Sequence, residues 1–361
     1  SESVCKEDSV VYHLFTINRI DLVLGSGFYP RYLLSVVDRA RESLGLFRLP
    51  DGRLPSIGDA NYVAPRTKLT VRNTIVSELE GLIPALVADA NRDSDRGGKE
   101  GQTVTTTGTR SADIVEEDSA RSFVLERSGY VNCLIQDCDD SFYLFLMGAC
   151  NSGIHKHADD MSFIWGSGDE DLLIDPGKFS YDNDPFRHLL RAVSSHNSVS
   201  VWGSSVRREF RRPTTPMWSE ARVDPDGSVY VAGSVCREDA SVKWSRSVRC
   251  AGRDLQVTDS VHCSKAADVS VHWQFAPTLK PVELDDRRSL LHCHSEQSCL
   301  RVTASSDMPG AWDFGMGLTF PDPRGWASPS YRTRIPALNA AWRAFGSTFE
   351  LVTTFSLSSR S

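Results

Sequence analysis

Long apolar runs are missing from this sequence of 361 residues. No stretch approaches the roughly 18 consecutive apolar residues of a membrane-spanning helix, and the longest run, residues 142–149, has the length of a β-strand. The sequence also begins without methionine and without the basic and then apolar pattern of a secretory signal. We therefore expect a chain without a membrane span that is a processed product or part of a longer chain.

Positive charge and paired cysteines are also scarce. The 40 Lys and Arg residues are outnumbered by 47 Asp and Glu residues, which gives a net charge of −7 and argues against a nucleic-acid partner. A local basic cleft can still attract a polyanionic substrate against the overall charge. The nine cysteines form no Cys-x-x-Cys pair, which argues against a zinc ribbon. The absence of a His-Glu-x-x-His motif disfavours a zinc hydrolase.

The first part of the chain has the periodicity of helices. Residues 10–24, 32–46 and 69–90 place apolar side chains three and four positions apart, which is the spacing of one buried helix face. We assign residues 1–95 to a helical domain.

The rest of the chain has a different pattern. Residues 96–118 are polar and rich in Gly and Thr, so we interpret them as a linker or an insertion. Residues 119–361 contain segments that alternate between apolar and polar residues, as strands do; examples are 198–202, 228–231 and 269–273. Helices followed by strands predict an α+β, multidomain chain with a large antiparallel β-sandwich, and argue against a Rossmann or barrel enzyme.

Four residues with metal-ligand side chains lie close together in the sequence. His155 and His157 are two positions apart, Asp175 stands at the end of an apolar strand, and His196 precedes another strand. Imidazoles together with a carboxylate are ligands that zinc accepts. The spacing alone leaves two interpretations open, a metal site or histidines that are satisfied by buried hydrogen bonds.

Three motifs around these residues resemble the signature of heparinase II/III-like polysaccharide lyases. Residues 155–163 read His-Lys-His-Ala-Asp-Asp-Met-Ser-Phe, residues 174–182 read Ile-Asp-Pro-Gly-Lys-Phe-Ser-Tyr-Asp, and residues 196–201 read His-Asn-Ser-Val-Ser-Val. Residues 7–13, Glu-Asp-Ser-Val-Val-Tyr-His, and the Asp-Gly and Gly-Asp pairs of residues 51–59 resemble further family segments. Lys156 differs from the Gly that many members have at this position.

The resemblance implies roles for individual residues. His157, Asp175 and His196 would bind a metal, usually zinc, that has a structural role near the active site. Tyr12 would be the proton-transfer residue. His155 would act as a partner base or would stabilise the charge that develops on Tyr12 and the substrate. His13 either assists catalysis or packs behind Tyr12.

The resemblance also implies the fold and the reaction. Residues 1–95 would be the last helices of an incomplete (α/α) toroid, and the chain would cleave a uronic-acid-containing acidic polysaccharide by β-elimination. Tyr181 and Arg187 are the candidate substrate contacts in the sandwich. The family implies a bacterial protein of the periplasm or cell envelope, or a secreted one.

Two further expectations concern the chain as a whole. A chain that starts within a toroid would leave a helix face uncovered, so we expect weak activity alone and association through the helical end. The alternative to a lyase is a glycan-binding or scaffold sandwich that has no catalytic activity.

Overall fold

The computed structural model describes residues 10–25, 32–60, 113–117, 120–125, 129–137, 139–148, 155–206, 217–237, 239–285 and 290–359. The helix expected at residues 69–90 lies outside these ranges. Of the segment that we interpret as a linker, 96–118, only residues 113–117 are described, and they form a strand.

Two helices precede the strands. Helix α1 covers Val10–Gly25 and helix α2 covers Tyr32–Gly45, close to the bounds that the apolar periodicity predicts. Val37 and Ala40 of α2 lie on its buried side, whereas Leu34 is exposed. This one-sided burial is the arrangement expected of an amphipathic helix that packs on a core.

The strands form two large antiparallel sheets and one small one. The first sheet has its six strands in sequence order: β1 (Asp113–Glu117), β2 (Ala120–Leu125), β3 (Tyr130–Asp137), β4 (Asp140–Met147), β5 (Phe163–Ser167) and β6 (Glu170–Leu173). A short helix, α3 (Pro185–Arg191), and a 3-10 turn, Val193–Ser195, connect it to the second sheet.

The second sheet has eleven strands, with β12 and β19 paired at its centre along most of their length. Its strands are β7 (Val199–Val201), β8 (Ser204–Ser205), β9 (Trp218–Val223), β10 (Val229–Cys236), β11 (Val242–Ala251), β12 (Asp254–Gln274), β13 (Lys280–Asp285), β14 (Leu290–His294), β15 (Ser298–Ser306), β16 (Gly310–Met316) and β19 (Leu338–Ser359). The small sheet pairs β17 (Trp326–Ala327) with β18 (Ile335–Pro336). The prediction of helices followed by a large antiparallel sandwich is confirmed.

Strands β3 and β4 are buried on both faces. Alternate residues such as Phe142 and Leu144 join the core shared with the second sheet. The residues between them, such as Tyr143 and Phe145, join a separate core with α1 and α2. This double burial explains the continuous apolar run in β4, because a strand covered on both faces has no polar side.

The loop after α2 is fixed to the first sheet by polar contacts. The Asn132 side chain donates hydrogen bonds to the carbonyls of Leu46 at 2.7 Å and Arg48 at 3.2 Å. The buried Arg53 guanidinium donates two hydrogen bonds of 2.9 Å to the Asp171 carboxylate of β6. Paired N–H groups facing a carboxylate restrain orientation as well as distance, so the end of this loop, which carries Asp59, has a defined position.

Among the helices in the described ranges, none is both long enough and apolar enough to cross a membrane.

Candidate functional site

Three separate segments bring His157, Asp175 and His196 together. His157 lies in the segment before β5, Asp175 follows β6, and His196 follows the 3-10 turn. All three are buried, and one ligand atom from each lies within 4.8 Å of the others. The Nδ1 atom of His196 is 3.2 Å from the Asp175 Oδ2 atom. Ligands of one tetrahedral ion at about 2.0–2.2 Å lie roughly 3.4 Å apart, so the spacing fits a single metal ion.

Several buried polar atoms at this point have no hydrogen-bond partner among the described residues: His157 Nδ1, Asp175 Oδ2 and both ring nitrogens of His196. The 3.2 Å contact between His196 Nδ1 and Asp175 Oδ2 is the one ion-pair contact among them. A buried polar atom without a partner costs about 1–3 kcal/mol, and a cation would satisfy several of these atoms at once. The residues therefore fit a bound metal ion.

The protonation of the group also suits a metal. Burial lowers the pKa of His157, although the hydrogen bond to Asp59 opposes this change. Burial raises the pKa of Asp175, but the charges of His196 and His157 outweigh it and hold the pKa below its ordinary value. A neutral imidazole and an ionised carboxylate are the forms that bind metals.

Asp59 connects the metal group to His155. Its Oδ1 atom lies 3.0 Å from His157 Nε2, and its Oδ2 atom lies 2.9 Å from His155 Nδ1. Burial raises the pKa of Asp59, but the hydrogen bonds and charges of His157 and His155 have the larger, opposite effect. The pKa of Asp59 therefore lies below its usual range. A carboxylate that accepts from the second nitrogen of a ligand histidine fixes the tautomer and the orientation of the ring.

Asn197 joins the three segments that carry the metal group. Its amide nitrogen donates to the carbonyls of Phe163 at 2.6 Å and Ile174 at 3.2 Å. Its amide oxygen accepts from the backbone N–H of Gln274 at 2.7 Å. Asn197, which directly follows His196, thus bonds to β5, the strand after His157, and to Ile174, the residue before Asp175.

The fully buried Arg246 supports the same region from the second sheet. It pairs with Asp259 at 2.7 Å and donates to the carbonyls of Met161 at 2.9 Å and Asn197 at 2.6 Å. Because the guanidinium has an ionised partner and further acceptors, its burial is compensated.

The Asp-Pro-Gly turn sets the position of Asp175. The Gly177 N–H donates to Asp175 Oδ1 at 2.9 Å, and Gly177 has a φ of 75°. A Cβ atom at this glycine would lie 2.5 Å from the Ser328 carbonyl oxygen. Both the positive φ and the close approach require glycine.

His155 and Tyr181 lie side by side at the edge of the metal group. His155 has a φ of 61°, and its side chain is 19% exposed. Its ring meets the Tyr181 ring edge to face, with centroids 6.3 Å apart. Arg187 donates to the Tyr181 carbonyl at 3.0 Å, so this candidate substrate contact also holds Tyr181. We call the surface formed by His155, Lys178, Tyr181, Arg187 and Tyr331 the cleft.

The candidate residues of α1 are placed differently. Tyr12 lies in α1, but its side chain is outside the described part of the structure, so its role stays a prediction. His13 is buried, and its Nε2 atom lies 3.0 Å from the Ala40 carbonyl and 3.2 Å from the Ser43 hydroxyl. Burial lowers the pKa of His13. These contacts place His13 between α1 and α2, and a part for it in catalysis stays a prediction.

Sequence reasoning assigned no role to Asp59, Asn197, Lys178 or Tyr331. Asp59 was noted only as part of a Gly-Asp pair, and no spacing rule connects it to residues about a hundred positions later. The signal for Lys178 was its place beside the Asp-Pro-Gly turn. Tyr331 belongs to a region without any motif.

The family model "Heparinase II/III-like, C-terminal" matches residues 117–358. A search of curated proteins found no match.

Solved structures share the fold at low identity. A heparinase III, the BT4657 gene product, superposes with a TM-score of 0.73 at 16% identity, over 100% of this chain and 53% of its own. The heparan sulfate lyase HepC from Pedobacter heparinus gives a TM-score of 0.68 at 15% identity, again over 100% and 53%. The chain therefore spans about half the length of these relatives.

Proposed function

Because the chain belongs to the heparinase II/III-like family, we propose that it is part of a polysaccharide lyase. Its substrate is an acidic polysaccharide, and it cleaves the glycosidic bond to a uronic acid by β-elimination. One observation carries the proposal: Asp59 links His155 at the cleft to His157 of the metal group. This arrangement presents one histidine to a substrate while anchoring it to a rigid buried site.

The reaction needs a base, an acid and a neutral substrate carboxyl. A base removes the proton at C5, the C4–O bond breaks with its electron pair passing to the leaving oxygen, and a C4–C5 double bond forms. Donors must stabilise the enolate that develops at the carboxyl group. The leaving oxygen takes up a proton, so no water is consumed.

His155 is suited to the base or stabiliser role. An Nδ1–H that donates to Asp59 leaves Nε2 as the ring atom that accepts a proton. Tyr12, on α1, is our candidate for the second proton-transfer group, and its hydroxyl can return the proton to the leaving oxygen when the two groups are syn. Tyr181 and Arg187 are the substrate contacts in this proposal. His13, buried against α2, is left out of the proton transfer.

We infer that the metal is zinc, held by His157, Asp175 and His196. Its chemistry there is structural: it neutralises Asp175 and joins three segments at one point. The protein residues alone carry the proton transfers.

The family supports further inferences about the surroundings of the enzyme. The relatives' names refer to heparin and heparan sulfate, so a glycosaminoglycan or a bacterial exopolysaccharide is the substrate class that we propose. We therefore propose that the protein acts in the periplasm, at the cell envelope or outside the cell. Association through the helical end is a further proposal, which sedimentation tests.

Ultraviolet absorbance of the unsaturated product tests the proposed reaction. Heparin, heparan sulfate, hyaluronan, alginate and bacterial exopolysaccharides are each mixed with the full-length protein that contains this chain. We expect absorbance to rise with at least one polymer and His155→Ala to abolish the rise. His262→Ala, at an exposed position of β12, is the matched control and retains activity. Binding of a polymer without any product would instead favour the glycan-binding alternative.

A further inference from the structure

Lys178 differs from the other buried cations of the described chain. It is 6% exposed, comparable to Arg53, Lys156 and Arg246 at 5%, 4% and 1%. Each of those three is paired with a carboxylate, from Asp171, Asp159 and Asp259 respectively. Within the described ranges, the Lys178 ammonium forms no ion pair, since no carboxylate oxygen lies within 4.0 Å of it. Its close contact is instead the face of the Tyr181 ring, at 3.6 Å from the centroid.

The backbone fixes Lys178 in this position. The Ser328 hydroxyl donates to the Lys178 carbonyl at 2.9 Å, and the Ser328 N–H donates to the Pro176 carbonyl at 2.7 Å. The glycine before Lys178 allows this close approach of the two loops. The lysine is therefore a built feature of the cleft, because the chain on both sides of it is restrained.

The ammonium faces the same ring as His155. The His155 ring meets the Tyr181 ring edge to face, with centroids 6.3 Å apart. The Tyr331 ring also contacts the Tyr181 ring, with centroids 6.5 Å apart. Burial and the Arg187 charge lower the pKa of Lys178, although the Asp59 charge opposes this change. Lys178 therefore lies near the same aromatic ring as His155, the candidate base.

A buried cation without an anion is costly unless a ligand supplies one. Aromatic contact with a cation compensates only part of the lost hydration. The half-exposed rings of Tyr181 and Tyr331 offer apolar faces of the kind on which a sugar ring packs.

We propose that Lys178 binds a carboxylate of the acidic polysaccharide, beside His155 and against the Tyr181 ring. This inference rests on the proposed function for its ligand class. The carboxylate supplies the anionic partner that the described protein residues do not.

Binding measurements on four variants test this proposal. All four carry His155→Ala so that the probe is not consumed. The protein with this change alone is the parent, and the other three add Lys178→Met, Lys178→Arg or Lys243→Met. Lys243 lies at an exposed position of β11. The first probe is an unsulfated oligosaccharide of alternating glucuronate and N-acetylglucosamine. The second is its carboxyl-reduced form, and the third is the carboxyl-reduced form bearing N-sulfate groups.

We expect Lys178→Met to bind the glucuronate probe about tenfold to a hundredfold more weakly, the effect of losing one charge-assisted hydrogen bond. Lys178→Arg retains most of the affinity, Lys243→Met retains all of it, and the carboxyl-reduced probe binds equally weakly to every variant. The melting temperature of Lys178→Met should equal or exceed that of the parent, since no ion pair is lost.

Several results would overturn the assignment. They are unchanged glucuronate binding in Lys178→Met, no glucuronate binding by the parent, or an equal loss for all probes together with a lower melting temperature. A loss confined to the sulfated probe would assign Lys178 to sulfate instead. The lyase reaction is judged separately, by absorbance of product with His155 intact.

Discussion

Replacing Asp59 by Asn should damage the metal group and the cleft at once. The substitution keeps the size of the side chain but leaves one oxygen acceptor where two now face His155 Nδ1 and His157 Nε2, at 2.9 and 3.0 Å. The amide NH₂ group must then face one of these nitrogens. That histidine can accept its hydrogen bond only by moving its own proton to the other ring nitrogen.

Either tautomer change has a cost. In His157 the proton would move to Nδ1, a buried atom without a hydrogen-bond partner among the described residues and the ring nitrogen left to bind the metal. In His155 it would move to Nε2, the atom that we assign to proton transfer. Losing such an orienting contact typically reduces metal affinity 10–100-fold, or about 1.4–2.7 kcal/mol.

Competition with a chromogenic chelator measures the zinc affinity directly. We expect Asp59→Asn to bind zinc at least tenfold more weakly, or to retain zinc while losing lyase activity. Asp254→Asn, at an exposed position of β12, serves as the matched control. An Asp59→Asn protein with unchanged zinc affinity and unchanged activity would refute the orienting role of Asp59.

Three other substitutions test the surrounding structure. Asn197→Ala removes three hydrogen bonds, two of them buried, so urea unfolding should show a loss of about 3–6 kcal/mol; a loss below about 1 kcal/mol would contradict its linking role. Burial lowers the pKa of His272 to about 3, whereas an unfolded His titrates near 6.5, so the unfolded state binds more protons between these values. Stability should therefore fall by several kcal/mol as pH falls from about 6.5 to 3, and His272→Gln should show a shallower fall in parallel denaturation curves. Gly177→Ala forces a Cβ toward the Ser328 carbonyl at a positive φ, so its melting temperature should drop by several degrees, and an unchanged value would show that the two loops separate freely.

The sequence predicted the elements that have a strong local signal. Helix α2 was predicted because its apolar residues follow a helical period. Strand β10 was predicted because its residues alternate and a turn at residues 224–227 precedes it; the Gly227 N–H donates to the Asp224 carbonyl at 2.8 Å. The convergence of His157, Asp175 and His196 followed from motif resemblance, since their spacing alone also fitted isolated buried histidines.

Other parts of the site depend on long-range contacts that no local pattern encodes. Asp59 reaches the histidines because Arg53 fixes its loop to Asp171, 118 residues away. Lys178 is distinguished only by a missing carboxylate partner, which becomes visible after the surrounding chains are placed. The paired registers of β12 and β19 likewise depend on which residues meet across the sheet.

The masses of the reaction products test the central proposal most directly. β-Elimination splits a chain into fragments whose masses add up to that of the substrate, with a double bond in one of them. Hydrolysis adds the mass of one water molecule. We expect the protein containing this chain to convert a uronate oligosaccharide into fragments without added water, and His155→Ala to produce none. Fragments that carry an added water, or equal cleavage by His155→Ala, would contradict the account.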